Sequence, residues 1–215
     1  MIAPSILILG LMLAGPEKPA PVHKAMHGVE WTHPAGDVRP HNTSNGTVPG
    51  FDVVKLALSS DGAKLTITAT LKGPMSGDFA SDVVQVYLDT DNNPKTGHET
   101  FWSKKPGFEL LAKLMACMQY ENGGSACSGG LTGAKVKEYY AVVALDRLKA
   151  DGQQERVLDP LDAQAVPFQG SVLSASLSYN DLGVKPGQAI RIVARRSDGP
   201  FDATADFPEV ILTLK

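Results

Sequence analysis

The fold is decided by residues 83–97, which read Val-Val-Gln-Val-Tyr-Leu-Asp-Thr-Asp-Asn-Asn-Pro-Lys-Thr-Gly. Val84, Val86 and Leu88 fall on one face of an extended chain, since side chains alternate with period two along a strand. The second half of the stretch is acidic and rich in amides. It therefore predicts a strand that runs directly into a loop of oxygen-bearing side chains.

This loop is a candidate metal site. Asp89, Asp91 and Asn93 stand at alternating positions and offer the oxygen ligands that calcium prefers. A Thr96 backbone carbonyl and Glu109, at the start of the next predicted strand, would bring the ligand set to about five. The same residue types also form good turns, and an ordinary turn is the alternative. An EF-hand is excluded, because a proline stands where that loop requires glycine.

The rest of the chain repeats the alternating pattern. The clearest hairpin joins 51–59 to 63–72 through the turn Ser60-Asp61-Gly62. Further strands are predicted at 29–32, 108–116, 134–145, 171–179, 189–195 and 210–214. About ten strands, separated by turn residues and not by helical patterns, predict an all-β protein, an antiparallel β-sandwich of the immunoglobulin or jelly-roll kind.

Composition narrows the classes of partner. The chain has 215 residues and a net charge of −3, with no basic stripe, so a nucleic-acid partner is not expected. Residues 1–15 form an apolar run of signal-peptide length, too short to span a bilayer, and a proline-rich linker follows. We therefore predict a signal peptide and linker at 1–21 and a single binding domain at 22–215, secreted or periplasmic, with no transmembrane segment in the mature chain. A buried first strand or helix is the alternative for the apolar run.

The two cysteines, Cys117 and Cys127, enclose a short glycine-rich loop. An even count in an exported chain predicts a disulfide between them. A metal or redox role would require closer spacing or histidine partners, and neither is present nearby.

Several segments together resemble a known family. They are His33-Pro34-Ala35-Gly36-Asp37, Phe51-Asp52-Val53-Val54, the Asp61-Gly62 turn, and Tyr87 to Gly97, which contains the motifs Asp-Thr-Asp and Thr-Gly. This pattern is similar to family 9 carbohydrate-binding modules, including the C-terminal module of glucodextranase-type enzymes, and more distantly to DOMON-type sandwiches. The family usually has aspartate where this chain has His33. The resemblance implies an exported, non-catalytic module that binds carbohydrate, often with calcium.

A sugar site requires an exposed aromatic ring with polar neighbours. Phe101 and Trp102 are the best candidates, with His98 nearby and Tyr120 beside the cysteine-bridged loop. We expect no enzymatic activity, because the sequence contains no nucleophile elbow, zinc signature or phosphate loop. Two alternatives remain. One is a haem-binding electron-transfer domain, with axial ligands from methionines near Cys117 and early histidines. The other is a structural interaction module of the cell envelope.

Overall fold

The computed structural model describes residues 27–36, 38, 41–43, 46–48, 51–75, 80–101, 103–129, 133–198 and 207–215; for 41–43 and 46–48 it describes the backbone alone. The predicted signal peptide and linker at 1–21 lie outside these residues. Strands dominate the described residues, which contain one short helix. In chain order they are β1 Gly28–Thr32, β2 His41–Thr43, β3 Gly46–Val48, β4 Val53–Ser60, β5 Lys64–Leu71, β6 Ser81–Asp89, β7 Leu110–Tyr120, β8 Ser125–Ala126, β9 Val136–Leu148, β10 Gln154–Leu158, β11 Val166–Pro167, β12 Val172–Ser178, α1 Tyr179–Leu182, β13 Ala189–Arg196 and β14 Val210–Thr213.

Two antiparallel sheets pack face to face, which confirms the predicted sandwich. The smaller sheet has the order β1-β4-β5-β12. The larger has the order β10-β9-β7-β6-β13-β14, with β8 added beside β7 and β11 beside β9. The two sheets therefore contain twelve strands, against about ten predicted, and β2 pairs with β3 as a separate hairpin. Three strands of the larger sheet were not predicted. β8 and β11 have two residues each, too few to show a period in the sequence, and the five residues of β10 are nearly all exposed and show no alternation.

The core lies between the two sheets. Alternate residues of the predicted hairpin point into it, among them Leu56, Leu58, Leu65 and Ile67, and all four are essentially inaccessible to solvent. Val86 of β6 packs in the same cluster from the opposite sheet. Each such aliphatic side chain contributes about 1.5–3 kcal/mol on burial. The alternation that was visible in the sequence is thus the alternation between core and outer face.

The last part of the chain closes both sheets. The predicted turn after 171–179 is a single helical turn, α1, capped by Ser178, whose hydroxyl accepts a hydrogen bond from the backbone N–H of Asp181. Strand β13 then runs beside β6 in the larger sheet, with Arg191 opposite Asp89. Among the described residues, no helix has the length and apolar character needed to cross a membrane.

Candidate metal centre

Strand pairing brings the acidic residues of the 90–109 loop together. Leu88 of β6 lies opposite Leu110 of β7, and the backbone N–H of Glu109 donates to the carbonyl of Leu88 at 3.1 Å. Glu109 therefore lies beside Asp89 although twenty positions separate them along the chain. One carboxylate oxygen from each of Asp89, Asp91 and Glu109 lies within 4.8 Å of the others. Asp89 is buried, Glu109 half-buried and Asp91 exposed, so the cluster reaches from the end of the sheet to solvent.

The turn itself is stabilised by side-chain to backbone hydrogen bonds. The backbone N–H of Asn93 donates to Asp89 Oδ1 at 3.0 Å and to Asp91 Oδ1 at 2.9 Å. Asn93 Oδ1 accepts from the N–H of Lys95 at 3.1 Å. Such bonds are typical of Asx turns. These residues therefore do form a turn, which was the alternative to a metal site. The turn's hydrogen bonds occupy one carboxylate oxygen each of Asp89 and Asp91.

The hydroxyl of Thr96 lies at the centre of the cluster. Its Oγ1 is 3.0 and 3.1 Å from the two carboxylate oxygens of Asp91, 2.9 Å from the backbone oxygen of Asn93 and 2.9 Å from Glu109 Oε1. A threonine hydroxyl carries one hydrogen and can satisfy only one of these four acceptors at a time. The centre of the cluster thus has more acceptor oxygens than hydrogens.

Arg191 supplies positive charge from β13. Its Nε donates a hydrogen bond to Asp89 Oδ2 at 2.8 Å. One terminal nitrogen lies 2.8 Å from the same oxygen as an ion pair and donates to the carbonyl of Pro106 at 2.6 Å. The guanidinium lies 4.5 Å from the ring centroid of Phe108, a cation–π distance. Glu209 lies 3.6 Å from the remaining terminal nitrogen. Arg191 therefore fixes both Asp89 and the return of the loop.

Arg191 was not among the predicted site residues, although the sequence contains a signal for it. An arginine at the third position of the strand Ala189–Arg196 stands among apolar residues, and a buried charge requires a partner. The partner could have been sought among the acidic residues at the end of a neighbouring strand.

Burial raises the pKa of two of the carboxyl groups. Desolvation is the main cause for Asp89, opposed by hydrogen bonds from Arg191 and Asn93. Desolvation is also the main cause for Glu109, whose pKa is raised further by the charges of Asp89 and Asp91 and lowered by hydrogen bonds from Thr90 and Thr96. In both cases the protein without a cation disfavours the ionised form.

Two glycines allow the loop to close on itself. Gly97 has a φ of +65°, and a Cβ there would collide with the backbone of Phe108, to which the neighbouring His98 is hydrogen-bonded. Gly107 has a φ of +88°, and a Cβ there would collide with Pro94 and with the Arg191 guanidinium. The backbone approaches closely at both points only because no side chain intervenes.

The structure thus brings together three of the five predicted metal ligands as carboxylates, namely Asp89, Asp91 and Glu109. This cluster could hold a metal ion. Thr96 faces it with its hydroxyl, where a backbone carbonyl was expected. Asn93 contributes its backbone oxygen beside Thr96, while its side-chain oxygen is bonded to the Lys95 amide.

The predicted ligand-binding residues lie in different surroundings. Phe101 is 62% exposed, with the ammonium of Lys104 5.6 Å from its ring centroid, and Lys104 also pairs with Glu99 at 3.1 Å. His98 is half-buried in the same loop, and Trp102 lies outside the described residues. Tyr120 has no exposed surface and packs with Met118, so it is not the exposed platform expected from the sequence.

The predicted disulfide is present between Cys117 and Cys127. It joins β7 to the residue that follows β8, at the end of β7 remote from the acidic cluster. A disulfide is typical of proteins from oxidising compartments.

No family model, curated protein or solved structure matches this chain.

Proposed function

We propose that the chain is an exported, non-catalytic binding module, that the acidic cluster of Asp89, Asp91 and Glu109 binds a structural calcium ion, and that the ligand of the module is a carbohydrate. The observation that carries the metal part is the Thr96 hydroxyl, with one hydrogen among four acceptor oxygens. Asp91 Oδ1 and the Asn93 carbonyl also accept from the backbone N–H groups of Asn93 and Thr96. Asp91 Oδ2 and Glu109 Oε1 share the single hydroxyl hydrogen, and a cation would satisfy the oxygen that it leaves without a donor.

Charge leads to the same proposal. The three carboxylates carry three negative charges when ionised, and the Arg191 guanidinium offsets one of them. Glu209, which also lies near this guanidinium, is paired with Lys105 at 3.8 Å as well. A divalent cation would neutralise the remaining two. It would also reverse the rise in pKa that burial imposes on Asp89 and Glu109, because a nearby positive charge favours the ionised form.

Distances and ligand chemistry favour calcium among the divalent cations. Calcium–oxygen bonds of about 2.3–2.6 Å place two oxygens of one ion at most about 5 Å apart, and the three carboxylate oxygens lie within 4.8 Å. Zinc in proteins is usually held by cysteine or histidine, and the ligands here are all oxygens. Magnesium requires a more rigid octahedral site, whereas calcium accepts irregular sets of six to eight oxygens, water included.

The carbohydrate part rests on the surroundings of Phe101. Its ring is mostly exposed on the same loop as the acidic cluster, with an ion pair between Glu99 and Lys104 beside it. An exposed aromatic face bordered by hydrogen-bonding groups suits the apolar face and the hydroxyls of a pyranose. A calcium ion would stabilise the loop that presents this ring.

Thermal unfolding of the chelator-treated protein, with and without calcium, tests the metal site. A cation that binds only the folded state, at a hundredfold excess over its Kd, adds about 2.7 kcal/mol to the free energy of unfolding, or about 5–10 °C in the midpoint for a domain of this size. Asp91→Asn should abolish the rise, since Asp91 is an exposed ligand whose replacement leaves the Asp89–Arg191 pair intact. Asp61→Asn, which neutralises an aspartate of another turn, should leave it unchanged. An equal rise in all three proteins, or in none, would contradict the proposed site.

The two alternative functions remain predictions. A haem-binding domain would show a strong visible absorption band after purification or reconstitution with haemin. Of the methionines considered as axial ligands, Met118 is fully buried in a cluster with Ala80 and Tyr120, while Met115 is half-buried. A structural interaction module would show neither haem absorption nor glycan binding.

A further inference from the structure

A concave surface lies on the outer face of the larger sheet, away from the acidic loop. It is a groove of about 330 Å³, within the range of small-molecule sites. Its floor is formed by β7 and β9, and its walls by the 123–125 turn and the 160–167 segment. Tyr140 and Val142 face the groove, while the alternate residues Ala141 and Val143 point into the core between the sheets.

Three polar side chains lie side by side, two on the groove floor and one on the adjoining wall. Gln119 of β7 pairs with Ser125 of β8 on one side and with Glu138 of β9 on the other. Glu138 and Ser125 are exposed and Gln119 is half-buried. Within the described part of the chain, none of the three makes a side-chain hydrogen bond or an ion pair. An amide, a hydroxyl and a carboxylate are thus available together to a ligand.

The next cross-strand pair on the same face of the sheet contains an aromatic residue, Tyr140. Tyr140 pairs with Cys117, and its hydroxyl lies 4.0 Å from the sulfur of Cys127. The disulfide fixes the segment after β8 beside β7, and the ring of Tyr140 lies half-buried against it. These contacts therefore hold the Tyr140 ring in place in the protein without a ligand.

The wall formed by the 160–167 segment is apolar. It includes Pro160, Ala163 and Pro167, and its Leu161 is 72% exposed, the most exposed large hydrophobic side chain of the described residues. The groove therefore offers apolar surface on one side and hydrogen-bonding groups on the floor. A pyranose has the matching distribution, with C–H groups on its faces and hydroxyls around its edge.

An extended peptide fits this place poorly. Peptides that add to a sheet require a free strand edge. Here β7 is already paired with β8 and β9, and β9 is paired with β11 at Val166 and Pro167. The pairing of β7 on both sides leaves side chains as the groups that the groove floor offers to a ligand.

We propose that this groove is a saccharide-binding site, separate from the Phe101 loop. The ring of Tyr140 stacks on a pyranose, and Gln119, Ser125 and Glu138 bind its hydroxyls. The proposal rests on the proposed carbohydrate-binding function and adds a site to it.

The test is titration of the ¹⁵N-labelled full chain with cellotetraose, xylotetraose, mannotetraose and maltotetraose, followed by amide chemical shifts. We expect at least one of them to shift the amides of Gln119, Glu138 and Tyr140. Tyr140→Ala should weaken binding about tenfold, the equivalent of one aromatic contact. Glu138→Gln should also weaken saccharide binding. Because this substitution keeps the size of an exposed side chain, it still tests the site if Tyr140→Ala fails to fold. Glu30→Gln is the matched control for Glu138→Gln, because Glu30 is an exposed glutamate of β1 in the smaller sheet, and it should leave binding unchanged.

The other outcomes separate this inference from the proposed function. Shifts confined to residues 98–104 and abolished by Phe101→Ala would overturn the groove and leave the carbohydrate function standing. Absence of binding for all four saccharides would overturn both. A concentration-dependent dimer in sedimentation, abolished by Leu161→Asp, would show that a second copy covers the groove and would also overturn the proposal.

Discussion

Asp89 is the most constrained residue of the acidic loop. Arg191 binds one of its carboxylate oxygens from one side, and the backbone N–H of Asn93 binds the other. The carboxylate is fully buried, so its charge is tolerated only because these donors surround it. We therefore expect Arg191 and a bound cation both to stabilise the negative charge of Asp89.

Arg191→Met tests this relation. Removing one partner of a buried ion pair costs about 3–5 kcal/mol, because the other charge stays buried. We expect this loss in chelator and a smaller loss in calcium, since the cation can compensate Asp89. Arg156→Met is the control for an arginine–carboxylate pair outside the loop. Its loss should be smaller, because Lys113 also pairs with Asp146 at 2.8 Å, and should be the same with and without calcium. Urea unfolding of both variants in both conditions is the measurement, and an equal loss for Arg191→Met with and without calcium would contradict the account.

Asp82 gives a pH dependence that does not involve the metal site. Burial raises its pKa above the ordinary value of 3.8, opposed by Lys113, Gln85 and Arg156 and reinforced by the charge of Asp146. Stability contributed by a group with a raised pKa is complete below its ordinary value and lost as the pH rises through the raised one. Asp82→Asn should therefore become stabilising relative to wild type as the pH increases towards neutrality.

The contrasting variant is Asp61→Asn. Hydrogen bonds from the backbone N–H groups of Ala63 and Lys64 lower the pKa of Asp61. Its contribution is present above 3.8 and is lost as the pH falls through the lowered pKa. Unfolding free energies of the two variants against pH should diverge from wild type with opposite slopes, and parallel curves would refute the assignment for Asp82.

At the scale of the element, the loop from β6 to β7 depends on close backbone approach. Gly97 lies directly against the backbone of Phe108, and its neighbour His98 exchanges backbone hydrogen bonds with Phe108 in both directions. Thr96 precedes Gly97 and Glu109 follows Phe108. The close approach of Gly97 to Phe108 therefore brings the Thr96 hydroxyl to the Glu109 carboxylate and completes the acidic cluster.

Gly97→Ala should therefore cost more than the left-handed conformation alone. That conformation costs a non-glycine residue about 1–2 kcal/mol, and the collision with Phe108 adds to it. Gly123→Ala is the control, since Gly123 has a φ of +86° and open space around it. We expect Gly97→Ala to lose more stability in urea unfolding and also to lose the response to calcium. Equal costs for the two variants would show that the approach is not required.

The elements also show how far the sequence could predict this structure. Strict alternation in 51–72 and 83–89 predicted β4, β5 and β6, and the antiparallel return of Glu109 to Asp89 followed from the order of strands. Period two distinguishes two faces but does not say which one is covered, so the burial of Tyr120 could not be predicted. The groove at Tyr140 depends on two-residue strands and long-range pairing, which leave no local pattern.

At the scale of the whole molecule, the two candidate sites lie at opposite ends of β7. Glu109 immediately precedes the strand and Gln119 is near its end, which places them about 30 Å apart at the rise of an extended chain. Sites this distant, without shared partners, usually contribute additively to stability. The acidic cluster and the groove should therefore respond independently to substitution.

The double variant Cys117→Ser/Cys127→Ser tests this independence. Loss of a disulfide that closes a loop of ten residues costs about 3 kcal/mol in the chain-entropy estimate. The variant should unfold at lower denaturant concentration and bind saccharide in the groove more weakly, since β8 loses its covalent link. Its midpoint should still rise in calcium by the wild-type amount. A loss of the calcium response would mean that the two ends of the sheet are coupled.

Isothermal titration of chelator-treated protein with calcium tests most directly whether Asp89, at the end of β6, forms a calcium site with Asp91 and Glu109 of the following loop. We expect one ion bound per chain in the wild type and in Asp61→Asn, and none in Asp91→Asn. An absence of binding to the wild type, or unchanged binding to Asp91→Asn, would contradict the proposed calcium site.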